Sequence, residues 1–551
     1  MTGMQITRGE ASRGLTYVIR ISLITTLALS ATSQVMGAGH PQSRSPSSPT
    51  GAQAAGPQDL LREAAAVLER GDLEQAERLS RAALQKDSRS LAAHSLLAIV
   101  LVRRGQVQEA EATLQRALKI DPAYVPALVN LGNLYLETGR PKEAAAEFAA
   151  VVRIDDDNAV AEAGWGAACI AQGQVDGAVT HYERAHAIEP RNPRFAIALV
   201  DALLKAAQLE RAWKLSGQIS EAPETPAEIL VPLARVLAQN GYHSKALVLL
   251  QRASALGAKD YDLEYTMGFV LHKLGRDKEA ERMLETAVQM RPAAAEAHFA
   301  LGLALAAEDK EDDAAASFAR AADLQPSFAE AYFELGRLYF KRGRYEVSVS
   351  AFTRAAIAKP NVATYQAGLG DCYYYLGQFD RAREAYDRAR AIDSSANHIN
   401  FKIGMLELKL GRNPEAESCF KREIELHPDH ADSHSILGEI YLLVGRDVDA
   451  DAELGRALAL NPDHSGALFQ MGRLRARQQR YDEAASAFKR VAGLDQSNAQ
   501  VHYQLFLIYR RTGKQELAAK ELEIFQKMEG EGKAPGSARF LRASRVATVG
   551  G

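Results

Sequence analysis

Residues 329–362 read AEAYFELGRLYFKRGRYEVSVSAFTRAAIAKPNV. Apolar residues recur at the 3.6-residue period of a helix, break around Arg342-Gly343-Arg344, resume, and stop at Pro360. The pattern predicts two helices over unit positions 1–14 and 17–31. Gly343 supplies the left-handed residue that ends the first helix. Pro360 ends the second, because proline has no N–H to continue the hydrogen-bond ladder.

The stretch is one of a series. Stepping by 34 from Ala76 meets Ala110, Ala144, Ala178, Ala212, Ala246, Ala280, Ala314, Ser348, Ala382, Ala416, Ala450, Ala484 and Ala518. Thirteen of the fourteen are Ala, where a one-in-five Ala composition would give roughly three. Other columns keep step. Position 8 is small in most units, as at Gly132, Gly268, Gly336 and Gly472, and position 15 is Gly in eleven of fourteen. Position 27 is Ala in nine units, position 32 is Pro in seven, and Phe148, Tyr182, Phe318, Phe352, Tyr386, Phe420 and Phe488 fill position 24. Small residues at positions 8 and 20 let paired helices approach closely.

This combination resembles the tetratricopeptide repeat pattern, and it covers residues 57–532 as fourteen tandem 34-residue units. The resemblance implies an all-α fold, a right-handed α-solenoid superhelix of antiparallel helix pairs. Its first helices would line a concave groove. The weakest join is 217–232, where Pro223, Pro226 and Pro232 crowd together and Val200 replaces Gly; a bend is expected there. The first and last units lack Gly at position 8, and the last second helix is polar, as a capping helix facing water should be.

Composition excludes several classes. Of 551 residues, 25% are charged and 47% hydrophobic, too polar for a polytopic membrane protein. The net charge of −3 removes the overall basic footprint of a nucleic-acid binder. Three cysteines, Cys169, Cys372 and Cys419, make no disulfide framework, and their positions on packing faces predict buried, inert thiols.

The two ends stand apart from the repeats. Arg8, Arg13 and Arg20 precede an 11-residue apolar run at 21–31, followed by small residues, so 1–38 reads as an export signal cleaved between 33 and 38. The expected location is periplasmic or extracellular; the alternative is a cytoplasmic or signal-anchored protein. No integral membrane span is expected after processing. Residues 39–56 form a Pro/Ser/Gly/Ala-rich linker, and 533–551 a disordered basic tail.

No GxxxxGK[ST], GxGxxG after a strand, HExxH or GxSxG occurs, and no segment outside the repeats is long enough for a catalytic domain. The expectation is a protein that is not an enzyme and needs no cofactor. His427, His430, Asp432, His434 and His464 invite a metal reading. Turn placement and a recurrent His at position 4 (His94, His298, His434, His502) favour the plainer one, in which no metal binds.

In the resembled family, positions 2, 5, 6, 9, 12 and 13 face the groove. The candidate binding residues there are Tyr265, Phe299, Phe333, Arg337, Phe340, Lys341, Tyr374, Tyr375, Phe401, Lys409, Arg473 and Arg477. Aromatics flanked by Arg are what binding hot spots need. Acids at position 2 (Glu228, Asp262, Glu296, Glu330, Asp432) argue against a purely anionic ligand. A carboxylate clamp is disfavoured because position 5 holds no Lys, and an asparagine ladder because position 6 holds Asn only at Asn130. The expected function is a non-enzymatic interaction scaffold holding an extended protein segment in the groove. The alternative is a cell-envelope polysaccharide or secretion accessory binding glycan there. Open ends leave room for self-association.

Overall fold

The computed structural model describes residues 56–221 and 225–530. The expected export signal at 1–38, all but the last residue of the expected linker, and the expected basic tail at 533–551 lie outside the described residues. Among those described are 28 α-helices and no strand. They alternate on the 34-residue period. First helices start at position 1, as in Val125–Glu137 and Ala329–Lys341; second helices start at position 17, as in Pro141–Ile154 and Tyr345–Ala358. The chain forms two compact units, Met1–Ser317 and Phe318–Gly551. The Pro-rich join at 217–232 lies inside the first of them. Pro232 there sits within the helix Ala227–Gln239.

Inside a repeat, positions 8 and 24 meet. A Cβ on Gly132 would lie 2.7 Å from the Phe148 ring; on Gly336, 2.7 Å from Phe352; on Gly472, 2.7 Å from Phe488. Those distances leave no room for any side chain. Two of these rings are pressed from the other side by position 6 of the next repeat, where a Cβ on Gly164 would sit 2.5 Å from Phe148 and one on Gly368 2.9 Å from Phe352. The two columns compensate in size. Where position 8 carries a side chain, position 24 is never aromatic: Ala64 with Ser80, Ala98 with Leu114, Val200 with Ser216, Ala234 with Leu250 and Phe506 with Leu522. Each enclosed ring contributes about 1.5–3 kcal/mol by leaving water. The single Ser in the Ala column is also accounted for: Ser348 Oγ donates to Gly336 O at 2.7 Å and accepts from Cys372 Sγ at 3.2 Å.

The turn between paired helices is equally uniform. The N–H of position 15 donates to the carbonyl of position 12, and that of position 16 to position 11: Gly343 to Phe340 at 2.9 Å and Arg344 to Tyr339 at 2.9 Å. This is the Schellman arrangement, with position 15 left-handed. The three repeats lacking Gly there adopt it regardless, with φ of 56° at Ala207, 58° at Asp309 and 62° at Gln479. Their hydrogen bonds are intact, including Gln479 to Ala476 at 3.1 Å and Arg480 to Arg475 at 2.8 Å. The packing of both helices imposes the turn, and these side chains pay a left-handed cost of roughly 1–2 kcal/mol.

One repeat departs from the pattern. The first helix of repeat 11 begins late, at Ile399, after a 3-10 turn Ala396–His398, and His398 takes φ 51°.

Two tests follow. Gln479→Gly should raise the urea midpoint, by about 0.5–1 kcal/mol of relieved strain. Gly336→Ala should lower stability by about 1–3 kcal/mol. Adding Phe352→Leu, which recreates the Ala98/Leu114 pairing, should recover part of that loss; equal or greater loss in the double variant would contradict the size-compensation rule.

Candidate interaction surface

The position 5 aromatics are packing residues. Phe299 and Phe333 are buried, Phe333 with 8% of its surface exposed. Position 5 faces the position 24 ring of its own repeat, with ring centroids 5.6 Å apart in Phe333–Phe352, Phe401–Phe420 and Phe469–Phe488. Tyr265 is half-buried and stacks on Tyr261 at 5.7 Å; burial pushes its phenol up. Phe401 also meets the His430 ring at 5.0 Å.

Positions 12 and 13 behave differently. Phe340 is half-buried and packs edge-on against Tyr345 and Tyr375, each at 5.4 Å. Tyr345 and Tyr375 stack at 5.1 Å, nearly parallel at 14°. Tyr374 extends the group to Phe379 at 6.0 Å. Tyr375 is 60% exposed. Tyr345 and Phe379 were not among the sequence candidates. They occupy position 17, which the turn folds back beside position 12 of the same repeat and which, at Tyr345, meets position 13 of the next. The signal was there in Tyr345, Phe379 and Tyr481, all at the first residue of a second helix. Further along the same unit, positions 13, 14 and 18 of repeat 12 expose Leu443, Val444 and Val448, the last by 84%.

The charges are largely tied within the array. Arg337 pairs with Glu334 at 2.8 Å, Arg473 donates to Gln470 at 2.9 Å, and Arg477 reaches Asp447 at 3.3 Å and the Leu442 carbonyl at 2.9 Å. Lys341 and Lys409 are exposed. Of the position 2 acids, Asp262 pairs with Arg235 at 3.3 Å, Glu296 accepts from Tyr261 Oη at 2.9 Å, Glu330 binds Lys359, and Asp432 pairs with His464 at 2.9 Å. Such half-exposed pairs contribute about 0–1 kcal/mol each.

The histidines of the sequence cluster go separate ways. His434 directs Nδ1 to Glu453 at 2.6 Å and Nε2 to the Pro428 carbonyl at 3.2 Å. His502 makes the same position 4 to position 23 contact with Glu521 at 2.7 Å, and Glu162 with His181 makes it in reverse at 2.7 Å. His464 accepts from the Ala467 N–H at 3.1 Å as a helix cap and donates to Asp432. Only His427 and His430 remain near one another, with His398 between them, its ring centroid 4.8 and 4.4 Å from theirs. Burial and the neighbouring His398 hold the His430 imidazole below the usual histidine range.

Cys169 and Cys372 are buried and Cys419 is half-buried. Burial raises all three thiols, Cys372 to about 11.

Among the described residues no helix is long and apolar enough to cross a membrane. Known proteins bear out the repeat reading. Two tetratricopeptide repeat profiles match, one at 96–159 and the other at 67–122 and 170–226; the profile of the cilia and flagella-associated protein 70 C-terminal domain matches 291–506. No curated protein matches the sequence. Among solved structures, the APC/C hetero-tetramer Cut9–Hcn1 is similar at 14% identity and a TM-score of 0.39, over 81% of this chain and 96% of that one. A tetratricopeptide repeat protein from Parabacteroides merdae is similar at 17% identity and a TM-score of 0.38, over 45% and 98%. Helix pairs, turn and columns together define an α-helical repeat scaffold. The chain belongs to the tetratricopeptide repeat family. Such repeats generally mediate protein–protein interaction, and the scaffold is typically non-catalytic.

Thiol labelling checks the packing. In the native protein at mildly alkaline pH, Cys169 and Cys372 should stay unmodified while Cys419 reacts slowly; in denaturant all three should react.

Proposed function

We propose that this chain is a non-enzymatic scaffold that holds an extended segment of a partner protein along the first-helix face of repeats 9–13. The single observation that carries this reading is the cluster Phe340, Tyr345, Tyr374, Tyr375 and Phe379, rigid by mutual packing yet exposed at Tyr375. Aromatic side chains held in place lose little entropy on binding, so an apolar anchor on the partner gains most of the contact energy. Lys409, exposed beside this face, suits a segment with scattered acids, while the internally paired Arg337, Arg473 and Arg477 favour no strongly anionic ligand. Export through residues 1–38 would put the scaffold and its partner outside the cytoplasm; the mature protein should then begin between 34 and 39, which intact-mass measurement reads directly.

Peptides selected on the full chain from a displayed library of extended segments test the site. The double variant Tyr345→Ala/Tyr375→Ala should keep its melting temperature and bind the selected peptides about tenfold or more weakly, roughly 1.4 kcal/mol. Undiminished binding would reject this surface. Binding of soluble glycans instead of peptides, with the same loss, would reject a protein ligand.

A further inference from the structure

Position 27 is a packing column. It is Ala in nine repeats, and in repeat 11 it is Glu423. That carboxylate is fully buried, at 0% exposure. Its Oε1 accepts from His398 Nδ1 at 2.7 Å and lies 3.9 Å from His427 Nε2. Its Oε2 is buried with no hydrogen-bond partner. Replacing a small apolar residue with a carboxylate, and leaving one oxygen unpaired, is costly unless something else meets it. Like-charge crowding does not explain it, since the neighbours are three imidazoles.

The backbone is shaped to this carboxylate. Repeat 11 alone delays its first helix, and the 3-10 turn Ala396–His398 leaves His398 left-handed at φ 51°, a conformation disfavoured for a residue with a side chain. The distortion carries the His398 ring over Glu423 and stacks it on His430, with centroids 4.4 Å apart. His430 is itself oriented: Nδ1 meets Ser433 Oγ at 2.7 Å, which leaves Nε2 for another partner, and Phe401 walls its edge at 5.0 Å. An outer-shell hydrogen bond on one imidazole nitrogen with the other free is the usual dress of a metal-ligating histidine. One donor atom from each of His398, Glu423 and His430 lies within 4.8 Å of the others. Tetrahedral bonds of 2.0–2.1 Å would space such atoms by about 3.3 Å, so closure asks for side-chain adjustment within the cluster, in which His398 is exposed. His427 is held by the Ser395 carbonyl at 3.0 Å, and Asp432 by His464; neither needs to take part.

We propose that His398, Glu423 and His430 form a binding site for one divalent transition-metal ion, with Zn2+ the representative ion, two imidazole nitrogens and one carboxylate oxygen as ligands, and water completing the shell on the exposed side of His398. Two nitrogens and one oxygen form a donor set that suits Zn2+ over Ca2+ or Mg2+, which prefer oxygen throughout. The ion would give Glu423 Oε2 its missing counterpart. It would also staple the start of repeat 11 to its end, joining the turn before Ile399 to the turn after Leu426. The role is structural, and it is independent of the peptide-binding surface proposed above.

The test uses the full chain without an affinity tag, stripped by a chelator and titrated with ZnCl2 by calorimetry and with CoCl2 by visible absorption. One Zn2+ per chain is expected, with a rise in melting temperature and a tetrahedral-type Co2+ spectrum. Glu423→Ala installs the residue that nine other repeats carry, so it should fold and melt, in chelator, at or above the wild-type temperature. It should nevertheless bind Zn2+ about tenfold or more weakly and lose the metal-dependent rise. His430→Gln should also lose the site, and His464→Ala should keep it. No stoichiometric binding at micromolar free Zn2+, or undiminished binding by Glu423→Ala and His430→Gln, would overturn the proposal and leave His398–Glu423 as a plain ion pair.

Discussion

The array depends on the space between positions 8 and 24. A ring such as Phe352 fits only because Gly336 has no Cβ and the next repeat offers Gly368 on its other face. That one contact sets how close paired helices lie and, through position 6, how closely the next pair follows. Interiors at crystal-like density leave no slack, so a larger residue in one column must be answered by a smaller one in the other. The pairs Ala98/Leu114, Ala234/Leu250 and Val200/Ser216 are that answer in three repeats. A repeat protein is stabilised by intrinsic and nearest-neighbour terms, so the same compromise can be struck locally, repeat by repeat.

The turn follows from the packing. Once both helices are pinned, position 15 must be left-handed whatever its side chain, as Ala207, Asp309 and Gln479 demonstrate. A uniform turn also fixes which residues become neighbours across it. Position 17 meets position 12 of its own repeat in Phe340–Tyr345 and Tyr374–Phe379, and position 13 of the next repeat, Tyr375, stacks on Tyr345. The aromatic cluster is therefore a consequence of backbone rules that have nothing to do with binding, used at two consecutive repeats where the side chains happen to be large and partly exposed.

The period made the fold legible, because helix starts, turns and stops each have a residue type that repeats every 34 positions. The surface was legible only in part. Phe333 and Phe340 look alike in the sequence, both aromatic and both on a first helix. Position 5 leans on the position 24 ring while position 12 leans toward the turn, a distinction of side-chain direction that column membership alone does not reveal. Arg337 and Arg477 likewise read as free cations until Glu334 and Asp447, in reach through helix and inter-repeat geometry, are seen to hold them. The histidine cluster was misleading for a related reason. Proximity in sequence grouped His434 and His464 with His430, whereas the folded chain gives them to Glu453 and Asp432 and brings in His398 from the preceding turn and Glu423 from the helix Asn413–Leu426.

Glu423 was nonetheless visible as a break in a column. A repeat protein supplies its own standard of comparison, since thirteen other repeats show what position 27 ordinarily needs, and a buried carboxylate is not among those needs. Local rules are broken where something is gained elsewhere. Repeat 11 breaks three at once: the small-residue column, the start of its first helix, and the preference of a side-chain-bearing residue for negative φ. A carboxylate in a small-residue column and a backbone distortion that converges on it are better explained by one requirement than by separate accidents. Neither the close packing at Gly404–Phe420 in the same repeat nor its ordinary turn at Gly411 is disturbed, so the departure is confined to the end where the imidazoles gather.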